Sequence, residues 1–272
     1  MENRSFKARQ LRGRGWLVPL GLLLGALLPG RMARAGDCGA ALADHAPLTK
    51  LLQRFVKDGV VDYAGLKASG AAALSGYLDC VGRVERAEYA RWSPRAQLAY
   101  WINTYNASVL QLVLDHHPIK SVRKIGLLPG AAFREDFIAS RIFGKKVSLN
   151  TIEHEVLRKE FAEPRIHFAL VCAARSCPAL RSEAYRPGEL DAQLDDAART
   201  FLRDGRKNRA DPAASKVYLS QIFKWYGEDF TRGGKTLAAA LAPFSDGALR
   251  ELLLRPGTQI DFADYDWSLN GR

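Results

Sequence analysis

A serine followed by a proline, Ser93-Pro94, opens a run that keeps helical spacing until His116-His117-Pro118. Serine is a preferred N-cap, and the fixed φ of proline suits the first helical position. The second proline cannot continue the helix. The spacing predicts one long helix with Leu98, Trp101, Ile102, Tyr105, Val109, Leu112 and Val113 on one stripe. Asn103 and Asn106 fall beside that stripe. Two amides against a wide apolar face either do polar work at a site or satisfy backbone groups of a neighbouring loop. The spacing leaves both open.

The densest set of reactive side chains lies further on, in Arg165-Ile-His-Phe-Ala-Leu-Val-Cys-Ala-Ala-Arg-Ser-Cys-Pro178. The apolar run Ile166 to Val171 predicts a buried strand. Strand alternation would put His167, Ala169 and Val171 on one face and Phe168, Leu170 and Cys172 on the other. His167 and Cys172 would then not meet, and Cys177, on the following loop, is the preferred nucleophile. Upstream, Ser148 to Phe161 is predicted helical, with Leu149, Ile152, Val156 and Leu157 apolar and Glu153 inside their stripe. His154 lies on the flank. A carboxylate so placed needs a partner. A capping box, with Asn150 as N-cap and Glu153 reaching back, is the competing explanation.

Shorter signals fill in the frame. Helices are expected over Leu48–Val56, Leu66–Val81, Glu189–Leu202, Lys235–Leu241 and Asp246–Leu254. Extended pieces are expected at Val60–Tyr63 and Val217–Ser220, with a hairpin over Phe137–Ser148, and the chain closes with Gln259-Ile-Asp-Phe262 and Tyr265 to Asn270. Asp204–Lys216 reads as a polar loop. Helices dominate around a small, mostly antiparallel sheet, which is an α+β class.

Residues 1–35 combine a basic start, an apolar stretch from Trp16 to Leu28 and Ala33-Arg34-Ala35, the pattern of a secretory signal peptide. The remaining 36–272 are expected to form a single globular domain, periplasmic or secreted, with no stable membrane span after cleavage. The formal charge of +11 falls to +5 without the leader, so a nucleic-acid partner loses its main support. All four cysteines follow the leader, where disulfides are the default. A Cys38–Cys80 bridge is plausible.

No phosphate-binding glycine loop, Gly-x-Ser-x-Gly elbow or His-Glu-x-x-His is present, and no cofactor is expected. Cys-x4-Cys is neither a zinc ribbon nor a Cys-x-x-Cys redox pair. Three readings stand. In the first, a thiolate of Cys177 or Cys172 attacks a carbonyl, His154 or His167 takes its proton, and Glu153, Asn103 or Asn106 holds the imidazole. The substrate would be a peptide or other amide. In the second, His154, His167, Cys172 and Cys177 hold zinc. In the third, Cys172–Cys177 is a disulfide and His167 a satisfied core histidine, the protein then being a non-catalytic binding module with Trp225, Tyr226 and Trp267 as its recognition surface. A bonded cysteine pair favours the module.

Taken together, Tyr100-Trp-Ile-Asn-x-Tyr-Asn-Ala107, Ser148-Leu-x-x-Ile-Glu-His154, Arg165 to Cys172, Ser176-Cys-Pro178, Ile222-Phe-Lys-Trp-Tyr226, Asp229-Phe230 and Tyr265-Asp-Trp-Ser-Leu-Asn270 resemble the family catalogued as domain of unknown function number 547. The resemblance runs from about residue 60 to the C-terminus. It implies that Asn103, Asn106, Glu153, His154, His167, Cys172, Cys177 and Asp229 fall on family motifs. Relatives include exported bacterial proteins and intracellular plant proteins, which weighs against a purely disulfide role for Cys172 and Cys177. A papain- or transglutaminase-like thiol hydrolase is the chemical analogy that the Glu, His and Cys set suggests.

Overall fold

A computed structural model describes residues 35–126, 130–134 and 141–272. Apart from Ala35, the expected leader lies outside the described residues, as does the start of the expected hairpin. The protein is α+β and mostly helical. Among the described residues no helix is long and apolar enough to cross a membrane.

The long helix spans Pro94–His116, and Ser93 caps it by accepting the Ala96 N–H. Its middle is buried on every side, from Leu98 through Leu110, so it is the axis of the larger apolar cluster rather than a one-faced surface helix. The helix Ala71–Arg83 packs against it, Ala46–Phe55 packs in turn on that helix, and the Cys38–Cys80 disulfide ties Ala35–Ala43 to Ala71–Arg83. The single helix expected over Leu66–Val81 is instead two, Tyr63–Ser69 and Ala71–Arg83, broken at Gly70. A Cβ there would come within 2.7 Å of Leu66 and Phe55, so glycine lets the two helices close onto one another.

A smaller cluster gathers around Phe168, Phe201, Phe223 and Phe230. It is covered by the helices Leu190–Arg203 and Gly247–Leu254 and by a three-stranded sheet. There Arg209–Asp211 runs antiparallel to Lys216–Leu219, which pairs in parallel with Gln259–Phe262. The polar Asp204–Lys216 stretch thus contributes a strand and is not loop throughout. Of the expected hairpin, Arg141–Ile142 paired with Lys145–Lys146 is described.

One burial has a pH consequence. His45 is 1 % exposed, sits at φ 56 and shares a 2.8 Å hydrogen bond from Nδ1 with the Tyr77 hydroxyl. Burial lowers its pKa from 6.5 to about 4, against an opposing pull from Asp44. A folded-state pKa below the unfolded one means the unfolded chain takes up the proton first as pH falls. The stabilisation is therefore complete above pH 6.5 and is lost between 6.5 and about 4, amounting to about 3 kcal/mol. Urea midpoints at pH 7.5 and 4.5 should show most of that loss, and His45→Asn, which tolerates the left-handed backbone, should flatten it.

Candidate active-site cleft

The Arg165–Pro178 segment is not a strand. Pro164–Phe168 is a 3-10 turn, capped where the Glu163 carboxylate accepts the Arg165 N–H. The strand expected from Ile166 to Val171 fails because its backbone finds another partner. Asn106 donates through Nδ2 to Ala169 O at 2.9 Å and accepts the Val171 N–H at 3.0 Å. One side-chain amide does what a neighbouring strand would do. The turn lies at the seam of the two cores, with Ile166 in the larger and Phe168 in the smaller. Strand alternation then no longer applies, and His167, Cys172 and Cys177 all line one cleft.

Asn103 spends its amide in the same way, donating to Tyr185 O and accepting the Tyr185 N–H at 2.7 and 2.9 Å. Both asparagines are buried and neither lines the cleft. Of the two roles that the sequence left open, the structure gives them the backbone one, which corrects their place in the catalytic set.

Past Val171 the chain turns at Ala173, whose φ of 62 lies in the left-handed region. Its loop pairs with the C-terminal segment, where Arg175 N–H donates to Ser268 O and Asn270 N–H to Ala173 O. This pairing brings Tyr265 and Trp267 against the cysteines. Cys172 and Cys177 are bonded to each other, so neither presents a thiol. This corrects the assignment of Cys177 or Cys172 as a free nucleophile: the loop returns one sulfur onto the other. Bonded sulfurs also deny zinc its two thiolates, and among the described residues no cluster suits a metal ion. Tyr265 Oη sits over the disulfide, 3.2 Å from Cys177 Sγ and 3.4 Å from Cys172 Sγ, and the Cys172 N–H donates to Cys177 Sγ at 3.0 Å.

Glu153 and His154 reach the cleft through a π-helical stretch, Thr151–Leu157. Such wider turns re-aim side chains and recur at functional sites. The competing capping box is absent, because Asn150 is itself helical and Ser148 accepts the Thr151 N–H. Glu153 is thereby left to accept the Tyr105 hydroxyl at 3.2 Å. Burial first, and then the Glu153 charge, raises the pKa of Tyr105, Tyr226 and Tyr265. All three phenols stay protonated, Tyr105 donating to Glu153 and Tyr265 to Cys177 Sγ.

The histidines flank Tyr226. His167 stacks on its ring at 4.2 Å between centroids, and His154 lies 6.1 Å away on a tilted parallel plane. His167 is buried and donates from Nε2 to Asp229 at 2.7 Å. Arg158 Nη1 lies 3.0 Å from His154 Nδ1, and a guanidinium has only donors, so that ring nitrogen is the acceptor. The lone pair that a general base needs there is already used. Asp229 was among the motif residues but not the expected catalytic set. It anchors the whole group, accepting from His167, Arg158 at 2.6 Å and Arg232 at 2.5 Å.

The cleft encloses about 380 Å³. Trp225, Tyr265 and Trp267 form its aromatic wall, with ring centroids 4.6 to 5.8 Å apart, and Arg123 lies over the Trp267 ring. Trp225 is 45 % exposed and is not core.

No curated protein and no solved structure matches the chain. The model of the family described as "Protein of unknown function, DUF547" matches residues 89–202, which take in the long helix, the Glu153-His154 turn and the cysteine loop. The motifs around Trp225 and Tyr265 lie beyond that match, and the matched family is the one that the sequence motifs resemble.

Proposed function

We propose that the cleft binds a peptide or other amide-bearing ligand whose flat apolar group packs against Trp225 and Trp267 and whose N–H or ammonium group meets Glu153. The carrying observation is one carboxylate, held by a phenol, behind an open aromatic wall in a space of ligand size. Aromatic faces give contact area at little conformational cost. Both disulfides suit an oxidising compartment, which supports an exported, periplasmic or secreted protein.

Phenylalaninamide carries both features and is the probe to titrate by calorimetry. Trp225→Ala should weaken its binding about tenfold, the loss of one aromatic contact. Glu153→Gln should do at least as much. Unchanged affinity in both variants would sink the proposal.

A second reading, a thiol-dependent hydrolase or acyltransferase, is favoured by His167, which lines the same cleft as the cysteines and is held from behind by Asp229 through Nε2. A carboxylate orienting an imidazole beside sulfur is the arrangement that such chemistry needs. It requires the reduced pair. Amidase activity towards phenylalanine p-nitroanilide that appears only with reductant, and is lost in Cys177→Ala, would establish it.

A further inference from the structure

We propose that Cys172–Cys177 is an exchange-active disulfide whose reaction partner is a peptide thiol entering the cleft. The inference rests on the cleft being a peptide-binding site. Three observations carry it. The first is position. The bond is at the cleft lining, whereas Cys38–Cys80 is buried at both ends within the helical core.

The second is asymmetry between its sulfurs. Cys172 is partly exposed, while Cys177 is 3 % exposed. An incoming thiolate therefore reaches Cys172. The third is the surroundings of the buried sulfur. Cys177 Sγ has the Cys172 N–H at 3.0 Å and the Tyr265 hydroxyl at 3.2 Å, both donors and both ready to hold a thiolate. A better-stabilised leaving thiolate departs faster. The raised pKa of Tyr265 keeps that donor proton in place.

The electrons balance without another reagent. The ligand thiolate forms a bond to Cys172 Sγ, the Cys172–Cys177 bond breaks, and its electron pair stays on Cys177. A second thiol of the ligand, as its thiolate, then attacks the ligand sulfur of the mixed disulfide and releases Cys172 as a thiolate. The ligand leaves as a disulfide, and the two protein thiolates take up the two protons that its thiols gave up.

The native full chain is treated with reduced glutathione, a peptide thiol, quenched with iodoacetamide and mapped by mass. The expected product carries glutathione on Cys172 and the alkyl group on Cys177, with Cys38–Cys80 intact. Tyr265→Phe should slow its appearance about tenfold, the effect of one donor to a charged atom. Reduction of both disulfides together, only as the protein unfolds, overturns the proposal, as does glutathione found on Cys177. An inert bond in a protein that still binds phenylalaninamide removes the exchange alone. Glutathione on Cys172 in a protein that refuses phenylalaninamide keeps the exchange and removes the binding reading.

Discussion

Replacing Asp229 with alanine should cost about 3–5 kcal/mol of stability, the usual result of leaving buried charges without their partner. Its side chain is 4 % exposed and serves His167, Arg158 and Arg232 at once. Burial alone would raise its pKa. Hydrogen bonds from His167 and Arg158, and then their charges, outweigh that and hold it well below the ordinary carboxylate range. A depressed folded-state pKa has a definite sign. The stabilisation is present above the unfolded value of ~3.9 and is lost as pH falls through the folded one. Urea denaturation should therefore show the gap between wild type and Asp229→Ala at pH 7 narrowing in strong acid. The same substitution frees the Arg158 guanidinium that bonds His154 Nδ1, so phenylalaninamide affinity should fall too. Unchanged stability at pH 7 would remove Asp229 as the anchor.

Asn106→Ala should be of similar size by a different route. It leaves Ala169 O and Val171 N–H buried without their partner, at about 1–3 kcal/mol for each group, or about 2–6 kcal/mol in all. Asn106→Asp keeps an acceptor for Val171 but offers no donor to Ala169, and should fall between alanine and wild type. If all three proteins share one urea midpoint, the amide is not what shapes the cysteine loop.

What could be read in the sequence follows the range of the interactions that decide it. Ser93, Pro94 and the periodicity after them act within a few residues, and the helix they mark is in place. The strand Lys216–Leu219 was equally plain, whereas its parallel neighbour Gln259–Phe262, half polar and mostly exposed, carried no such signal. The Ile166–Val171 run had a strand's composition, and what overruled it was an amide 63 and 65 residues upstream. Glu153 inside an apolar stripe did signal an unmet need. Its answer was Tyr105, on a helix 48 residues earlier, and not the local cap. Asp229 showed no local oddity, because its partners Arg158 and His167 are 71 and 62 residues away. The cluster of Glu153, His154, His167, Cys172 and Cys177 was legible as a cluster. That its sulfurs face each other depends on the turn at Ala173 and on the segment laid beside it.

That segment has a consequence for the order of assembly. The cysteine loop takes its backbone partners from Asp266, Ser268 and Asn270, and Asn270 also receives the Tyr63 hydroxyl from 207 residues away. On a ribosome, the helices around Pro94–His116 can collapse long before those residues are made. The cleft cannot, because Tyr265 and Trp267 of its aromatic wall, with the cover over its disulfide, are made well after that helix. Loop closure over such separations is slow relative to local helix formation. The cleft is therefore completed later in folding than the helices around Pro94–His116.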